Sequence, residues 1–310
     1  MPLAHVPDEL VAFAHELADA ARRVILVHWR QHCVVENKVD EGRVVQETPV
    51  TLADRASELV MRDMIQAAYP AHAIVGEEYG PTGDASTSEW AWVLDPIDGT
   101  SSFVSGKPTF GTLIALLHRG EPVLGVIDQC VNDERWVGQG RETTLNGKVV
   151  HADPAAPTDL ASAMLLATTP HMFGQGFEMD AFELLRSRVK RCAYGGDCYN
   201  YALLASGFGP HVVAEADLEP YDYLAVVPVL VGAGAVVTDW KGRPLTLAGH
   251  KVSRGRVLAA SNAQLHAAAL KALNAPAVDK EKRQAKILYV ASTAVALLAA
   301  TVLFVARHQK

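Results

Sequence analysis

The 310-residue chain is 49% hydrophobic and 20% charged, enough apolar material for one large or two modest cores. Its formal charge is −7; the last 35 residues, with six Lys or Arg and two acids, contribute +4, so residues 1–275 carry −11. So acidic a body argues against a nucleic-acid partner, whose phosphates demand basic surface. Four cysteines without a C-x-x-C pair argue against a disulfide framework or zinc site, and for a reducing compartment.

From Pro7 to about Gln31 the pattern predicts an amphipathic helix, with Leu10, Ala14, Leu17, Ala21 and Val24 at helical spacing and Asp8 and Glu9 in the first turn. Acids this early, with no unbroken apolar run behind a basic start, do not make a signal peptide. A polar, glycine-containing loop follows from Lys38 to Pro49. Thr51 reads as the N-cap of a second helix, with Asp54 in its first turn. Ala73 to Val75 is a short strand running into Gly76-Glu77-Glu78. Trp90 to Leu94 is an apolar strand closing on Asp95-Pro96-Ile97-Asp98-Gly99-Thr100-Ser101. Residues 110–150 read as an antiparallel meander with a tight turn at Asn146-Gly147. From about Ala161 strand and helix text alternates. The first half reads α+β and the second α/β, with subdomains of about 1–156 and 157–275.

Ile287 to Ala306 is twenty residues without a charge, flanked by Lys280, Lys282, Arg283 and Lys286 before and Arg307, His308 and Lys310 after. At about 1.5 Å rise per residue such a run spans about 30 Å, the hydrocarbon thickness of a bilayer. The expectation is a transmembrane helix over 287–306 behind a basic juxtamembrane linker over 276–286. The basic asymmetry would keep the domain over 1–275 in the cytosol as a single-pass, C-terminally anchored membrane protein. The alternative is a buried C-terminal helix.

Glu77, Asp95 and Asp98 follow strand text, and Asp54 and Asp222 open helices. Acids at the ends of neighbouring elements can converge on one point, where they repel one another unless a cation neutralises them. Oxygen ligands without His or Cys suit a hard ion, Mg2+ or Mn2+. Gly99, Thr100 and Ser101 can turn successive N–H groups outward at a helix start, which makes an anion site. Taken singly, Asp98 is equally an N-cap and Glu77 a surface acid. Together with Asp222 they predict metal carboxylates fused to a phosphate cradle, and phosphoester chemistry.

The segments GEE (76–78), WVLDPIDGTSSF (92–103) and Tyr221-Asp222 ahead of a helix ending GAGAVV (232–237) resemble the inositol monophosphatase family of metal-dependent phosphatases, over about residues 8–272. The resemblance implies a layered αβαβα sandwich, Mg2+-dependent hydrolysis of small phosphomonoesters, two or three ions per site, inhibition by lithium, and a homodimer. It places Glu77 on one metal, where it helps orient the attacking water. It makes Asp95 a bridge between two metals, with the Ile97 carbonyl completing one shell. Asp98 and Asp222 hold the second ion, and Asp54 a third, directly or through water. Thr100 positions the nucleophilic water, the N–H groups of Gly99 and Thr100 take the phosphate with Ser101 in the same cradle, and Glu78 supports the shell from behind. Two ions would activate the water and stabilise the leaving oxygen in an in-line attack, without a covalent intermediate.

Within the family, residues 106–129, 194–207 and 216–230 look like the histidinol-phosphatase branch, with Tyr221 where inositol-specific members commonly carry Trp. The expected reaction is hydrolysis of histidinol phosphate to histidinol and phosphate. An inositol or other sugar-phosphate phosphatase is the nearest alternative, and a catalytically silent scaffold of the same fold is the alternative of another class. Asp197 and Glu215 are the candidate substrate contacts, because carboxylates beside the phosphate site suit an imidazole and an ammonium. Asp197 also reads as a helix N-cap, and Glu215 matches the position that contacts a sugar hydroxyl in inositol enzymes. Ser101 departs from the basic residue frequent in this branch, and Ala235 from the family's usual second Gly.

Overall fold

The computed structural model describes residues 6–31, 35–39 and 47–275. Helix α1 (Asp8–His28) is followed by strands β1 (Val35–Val39) and β2 (Glu47–Thr51), which pair antiparallel, and by helix α2 (Leu52–Ala68). The stretch expected to be a polar loop therefore takes in part of each strand of a two-stranded ribbon. Next come β3 (Ala73–Gly76), β4 (Gly80–Thr82), β5 (Trp90–Asp98), the short helix α3 (Thr100–Val104), β6 (Gly111–His118), β7 (Glu121–Gln129), β8 (Glu134–Gly138), β9 (Thr143–Leu145) and β10 (Lys148–Val150). Asn146 and Gly147 join the last two with φ of 51° and 76°, the paired positive angles of a tight hairpin turn. The rest is β11 (Met164–Ala167), α4 (Phe177–Arg186), β12 (Arg191–Tyr194), α5 (Asp197–Ala205), β13 (Val212–Glu215), α6 (Pro220–Tyr223), α7 (Val226–Gly232), β14 (Val236–Thr238), α8 (His250–Ser253), β15 (Val257–Ala260) and α9 (263–275).

Eight strands form one sheet in the order β10-β9-β8-β7-β6-β5-β3-β4, antiparallel except for the β3–β5 pair. Five form a second in the order β12-β11-β13-β15-β14, the first three parallel. Side-chain alternation along a strand sends successive residues to opposite faces, and this stacks the layers. Trp92 and Leu94 of β5 face Leu17 and Ile25 of α1 and Met61 and Ile65 of α2. Ala91 and Val93 face the middle helices, meeting Tyr201 of α5 and Val226 and Val229 of α7. Val213 and Ala259 of the second sheet close on those same helices, while Val212 and Ala260 turn away to Phe182 of α4 and Leu265 and Ala269 of α9. The order is helix, sheet, helix, sheet, helix. The middle layer sits directly on sheet backbone: a Cβ at Gly138 would lie 2.3 Å from Val229 Cα, and one at Gly125 1.9 Å from the Ala225 carbonyl oxygen.

The transmembrane part of the expected fold class is corrected. Among the described residues no helix is long and apolar enough to cross a membrane. The longest, α1, has 21 residues but carries Asp8, Glu9, Glu16, Asp19, Arg22 and Arg23 along its polar side. The 287–306 segment and the 276–286 linker lie outside the described residues; the described fold is the mixed α/β sandwich, and it does not support the membrane localisation or the membrane partner drawn from that helix.

Because β3 and β5 run parallel and adjacent, their carboxyl ends open on one edge, at Gly76 and Asp98. The carboxyl ends of such strands are where α/β folds place ligands. β13 likewise ends on Glu215, and α5 starts on Asp197 directly after β12.

Candidate active site

Strand β5 leaves its partner in an irregular step. Asp95 pairs with Leu113 of β6 and Asp98 with Gly111, so one extra residue is accommodated between them. Thr112 steadies the bulge by donating its hydroxyl to the Pro96 carbonyl at 2.8 Å. Gly99 follows at φ 92°, a left-handed conformation glycine adopts at little cost, and a Cβ there would lie 2.6 Å from Asp197 Oδ2. The chain then turns into α3, whose inward bonding begins with Ser102 N–H donating to the Gly99 carbonyl at 2.8 Å. The N–H groups of Gly99, Thr100 and Ser101 precede that point.

One oxygen each of Asp95, Asp98 and Asp222 lies within 4.8 Å of the others. Asp98 Oδ2 accepts the Cys198 N–H, and Asp222 Oδ2 accepts the Glu219 N–H at 2.7 Å in a capping box at the start of α6. Glu77, on the turn after β3, lies in the cleft lining with Asp95 and close enough for its charge to act on that carboxyl. Burial, then the charges of Glu77, Asp98 and Asp222, hold the Asp95 carboxyl well above the carboxylate range. Burial, then Asp197 and Asp222, does the same to Asp98. Asp95 Oδ1 is buried without a hydrogen-bond partner. An orphaned carboxylate oxygen in a cluster of three aspartates fits a hard divalent cation.

Around this cluster lies a cleft of about 500 Å³ whose lining includes Glu77, Asp95, Ile97, Asp98, Gly99, Thr100, Ser101, Asp197, Glu215 and Asp222. Asp54 is not in the lining. It is fully buried in the first turn of α2, where Oδ2 accepts the Thr51 N–H at 2.8 Å. It reaches the cleft through Thr100, whose hydroxyl lies 3.2 Å from both Asp54 Oδ1 and the Ile97 carbonyl. Burial raises the Asp54 pKa, against the lowering effect of the Thr51 hydrogen bonds. Glu78 is also outside the lining, with 3.9 Å between its Oε2 and Arg55 Nε.

Asp197 is not the cap of α5. Gly196 stands at that position, and the Asp197 carboxylate turns to the cleft, accepting from Ser102 Oγ at 3.2 Å with its own backbone at φ 44°. Burial pushes its pKa up to about 6. Glu215 accepts from Thr168 N–H at 2.8 Å and Oγ1 at 2.7 Å on one oxygen, and from Tyr201 OH at 2.8 Å on the other. Burial pushes it up to about 7. Thr168, Tyr201, Ser102 and Lys107 are cleft residues that the motif reading did not select. Ser102 stands inside the 92–103 motif itself, whereas Thr168, Tyr201 and Lys107 come from other segments that the fold brings to the cleft.

A layered sandwich with a carboxylate cluster beside a short helix start is the architecture of a phosphate-ester hydrolase. Residues 6–276 match the family model described as the inositol monophosphatase family, and the chain belongs to that family of phosphatases, which hydrolyse phosphate monoesters. It is 43% identical over 270 residues to the bifunctional phosphatase IMPL2, chloroplastic, of Arabidopsis thaliana, covering 86% of this chain and 75% of that protein. It is 31% identical over 280 residues to a histidinol-phosphatase of Streptomyces coelicolor, covering 87% and 99%. A solved inositol monophosphatase from Zymomonas mobilis superposes with a TM-score of 0.74 at 36% identity, covering 87% of this chain and all of that one.

Proposed function

We propose that the protein is a Mg2+-dependent phosphomonoesterase acting on histidinol phosphate. The observation that carries the metal-dependent part is the meeting of Asp95, Asp98 and Asp222 within 4.8 Å, with the Asp95 Oδ1 atom buried and unpartnered. Glu77, Asp95, the Ile97 carbonyl, Asp98 and Asp222 would hold the ions, as the family's general Mg2+ dependence leads one to expect. When bound, the ions neutralise the cluster and lend positive charge to the phosphate oxygens and the attacking water.

The chain's own groups do the rest. The N–H groups of Gly99 and Thr100, with Ser101, receive the phosphate. Thr100 orients the water by accepting from it while donating its own proton to Asp54 Oδ1, 3.2 Å away. Buried Asp54, with its raised pKa, is suited to take that proton. Glu77, beside Asp95, orients the same water. In-line attack then transfers the phosphoryl group to water, whose proton leaves by way of Thr100, and the leaving oxygen takes a proton from solvent to depart as the alcohol.

The choice of ester rests on Asp197. Its carboxylate lines the cleft beside Gly99, where a cationic alcohol would gain a charge-assisted hydrogen bond. The histidinol-phosphatase of Streptomyces coelicolor supports this reading. A second reading, an inositol phosphatase, is favoured by Glu215, whose fixed carboxylate suits ring hydroxyls, and by the Zymomonas mobilis structure. A panel of phosphate esters assayed with Mg2+ and with excess chelator separates them. Histidinol phosphate should give higher kcat/KM than myo-inositol 1-phosphate. Asp197→Asn should raise KM for the cationic ester about 10- to 100-fold, the worth of a charged hydrogen bond, and leave a neutral ester nearly unchanged. Preference for the inositol ester reverses the assignment. Full turnover in excess chelator removes the metal.

A further inference from the structure

Helix α2 turns charged side chains inward at three positions spaced by four residues: Asp54, Glu58 and Arg62, all buried. Asp54 belongs to the site already described. Glu58 and Arg62 reach past it to the turn between β3 and β4, whose first residue is Glu77. Glu58 Oε2 accepts the Glu78 N–H at 2.7 Å, and Oε1 accepts the Tyr79 N–H at 3.2 Å. Arg62 pairs with Glu58 through Nε at 2.7 Å, donates from Nη1 to Thr82 Oγ1 at 3.0 Å, and donates from Nη2 to the Gly80 carbonyl. From the other side, the Glu77 N–H donates to the Leu94 carbonyl at 3.2 Å, tying the turn to the residue before Asp95.

The close approach has a sequence requirement. A Cβ at Gly76 would lie 2.1 Å from Glu58 Oε1 and 2.6 Å from Arg62 Nη2, so the ion pair occupies the space a side chain would take. Burying an ion pair is a poor way to gain stability, because desolvation consumes most of the attraction. What this pair does gain is a fixed main-chain path for the turn. Magnesium demands near-ideal octahedral ligand geometry, so a ligand on a hairpin turn must be held there by its surroundings.

We infer that Glu58 and Arg62 are positioning residues for Glu77: by bonding the main chain of the 77–80 turn they aim its carboxylate at Asp95 and so set the affinity of the site for its cation. The inference rests on the reading of Glu77 as a metal ligand. Neither residue touches substrate.

The test is Mn2+ binding to the full-length protein, followed by electron paramagnetic resonance of the free ion, beside thermal melts. Glu58→Gln keeps the shape but loses one acceptor and the charge. It should weaken Mn2+ binding about 10- to 100-fold, the usual effect of disturbing the groups that orient a ligand. KM for the phosphate ester at saturating Mg2+ should not move. Arg62→Lys, which keeps the charge and loses the fork, should fall between it and the wild type. Asp239→Asn, at the distant Asp239–Arg243 pair, should lower the melting temperature and leave Mn2+ binding intact. Glu77→Gln should weaken Mn2+ binding at least as much as Glu58→Gln. If Glu77→Gln weakens binding while Glu58→Gln binds normally, the positioning role is overturned and the ligand reading stands. If Glu77→Gln binds normally, both are overturned. Equal weakening in Asp239→Asn and Glu58→Gln would reduce the effect to general loosening and overturn the inference. Should Glu58→Gln fail to fold, Arg62→Lys decides by the same criteria.

Discussion

Asp128 on β7 and Asp95 on β5 lie two strands apart in one sheet, and both are buried. Asp128 receives Arg22 of α1 in a two-pronged contact, Nε at 3.1 Å and Nη2 at 2.8 Å, and Arg135 of β8 through Nε at 2.6 Å. Arg135 goes on to Asp19 at 2.6 Å and Arg22 to Asp133, so positive and negative groups alternate until the network reaches solvent. Asp95 is surrounded instead by Glu77, Asp98 and Asp222. The first cluster is electrically complete and fastens α1 to the sheet. The second gathers like charges around Asp95 and suits a divalent cation. The difference separates a carboxylate that serves the fold from carboxylates that the fold tolerates for chemistry, and it predicts opposite responses to the same substitution.

The largest contrast lies in activity. Asp98→Asn or Asp222→Asn should lower kcat/KM by on the order of 10³-fold, about 4 kcal/mol of transition-state stabilisation, since each removes a charged group from a shared cation site. The same change should leave the melting temperature of metal-free protein unchanged or higher, because a repelling neighbour is gone. Steady-state kinetics with Mg2+ and melts in chelator measure the two sides. Full activity in Asp98→Asn would sink the comparison.

Asp128→Asn should do the reverse. Breaking a buried, hydrogen-bonded ion pair strands the arginines and should cost about 3–5 kcal/mol in urea unfolding. Turnover per folded molecule should hold, because this network lies apart from the cleft. A variant as stable as the wild type would show that the alternating charges contribute nothing net.

How much of this was legible in the sequence follows from where each residue sits along the chain. Asp95, Ile97, Asp98, Gly99 and Thr100 are contiguous, so the end of one strand displays half the site as a motif. Glu77 and Asp222 were found because each has its own short signature. Glu58 and Arg62 were not, because an acid and a base four residues apart on a helix read as an ordinary solvent-facing pair. In the fold the exposed residues of α2 include Leu52 and Leu59, 65% and 47% exposed, while Glu58 and Arg62 are buried. Helical periodicity says which residues share a face. It does not say that a hairpin will bring the main-chain N–H groups of Glu78 and Tyr79, 20 and 21 residues beyond Glu58, to that face. The β1–β2 ribbon was missed for a related reason, since its stretch lacks the alternation of a half-buried strand. The contacts of Glu215 depend on Thr168 and Tyr201, 47 and 14 residues away, and no local pattern encodes them.

Glu215 supplies the smallest and most selective test, because it stands between the two clusters in character: buried and hydrogen-bonded, yet without a cation. Burial pushes its pKa up to about 7, from 4.5 in an exposed carboxyl. Below pH 4.5 it is protonated in both folded and unfolded chains and contributes nothing to pH dependence. Between about 4.5 and 7 the unfolded chain releases the proton first, so the unfolded state binds fewer protons and stability falls as pH rises. Above about 7 both states are ionised and the loss is complete, at most on the order of 3 kcal/mol. Glu215→Gln keeps an acceptor for Thr168, and its amide can donate to the Tyr201 oxygen, so the fold should survive. In metal-free protein, urea midpoints should therefore converge for variant and wild type near pH 4.5, with the variant pulling ahead toward pH 8. Asp95, Asp98 and Asp197 titrate with the same sign but are present in both proteins, so the difference between the two curves reports Glu215. Parallel curves would mean that the Thr168 and Tyr201 hydrogen bonds already compensate its charge, and would move Glu215 to the side of Asp128.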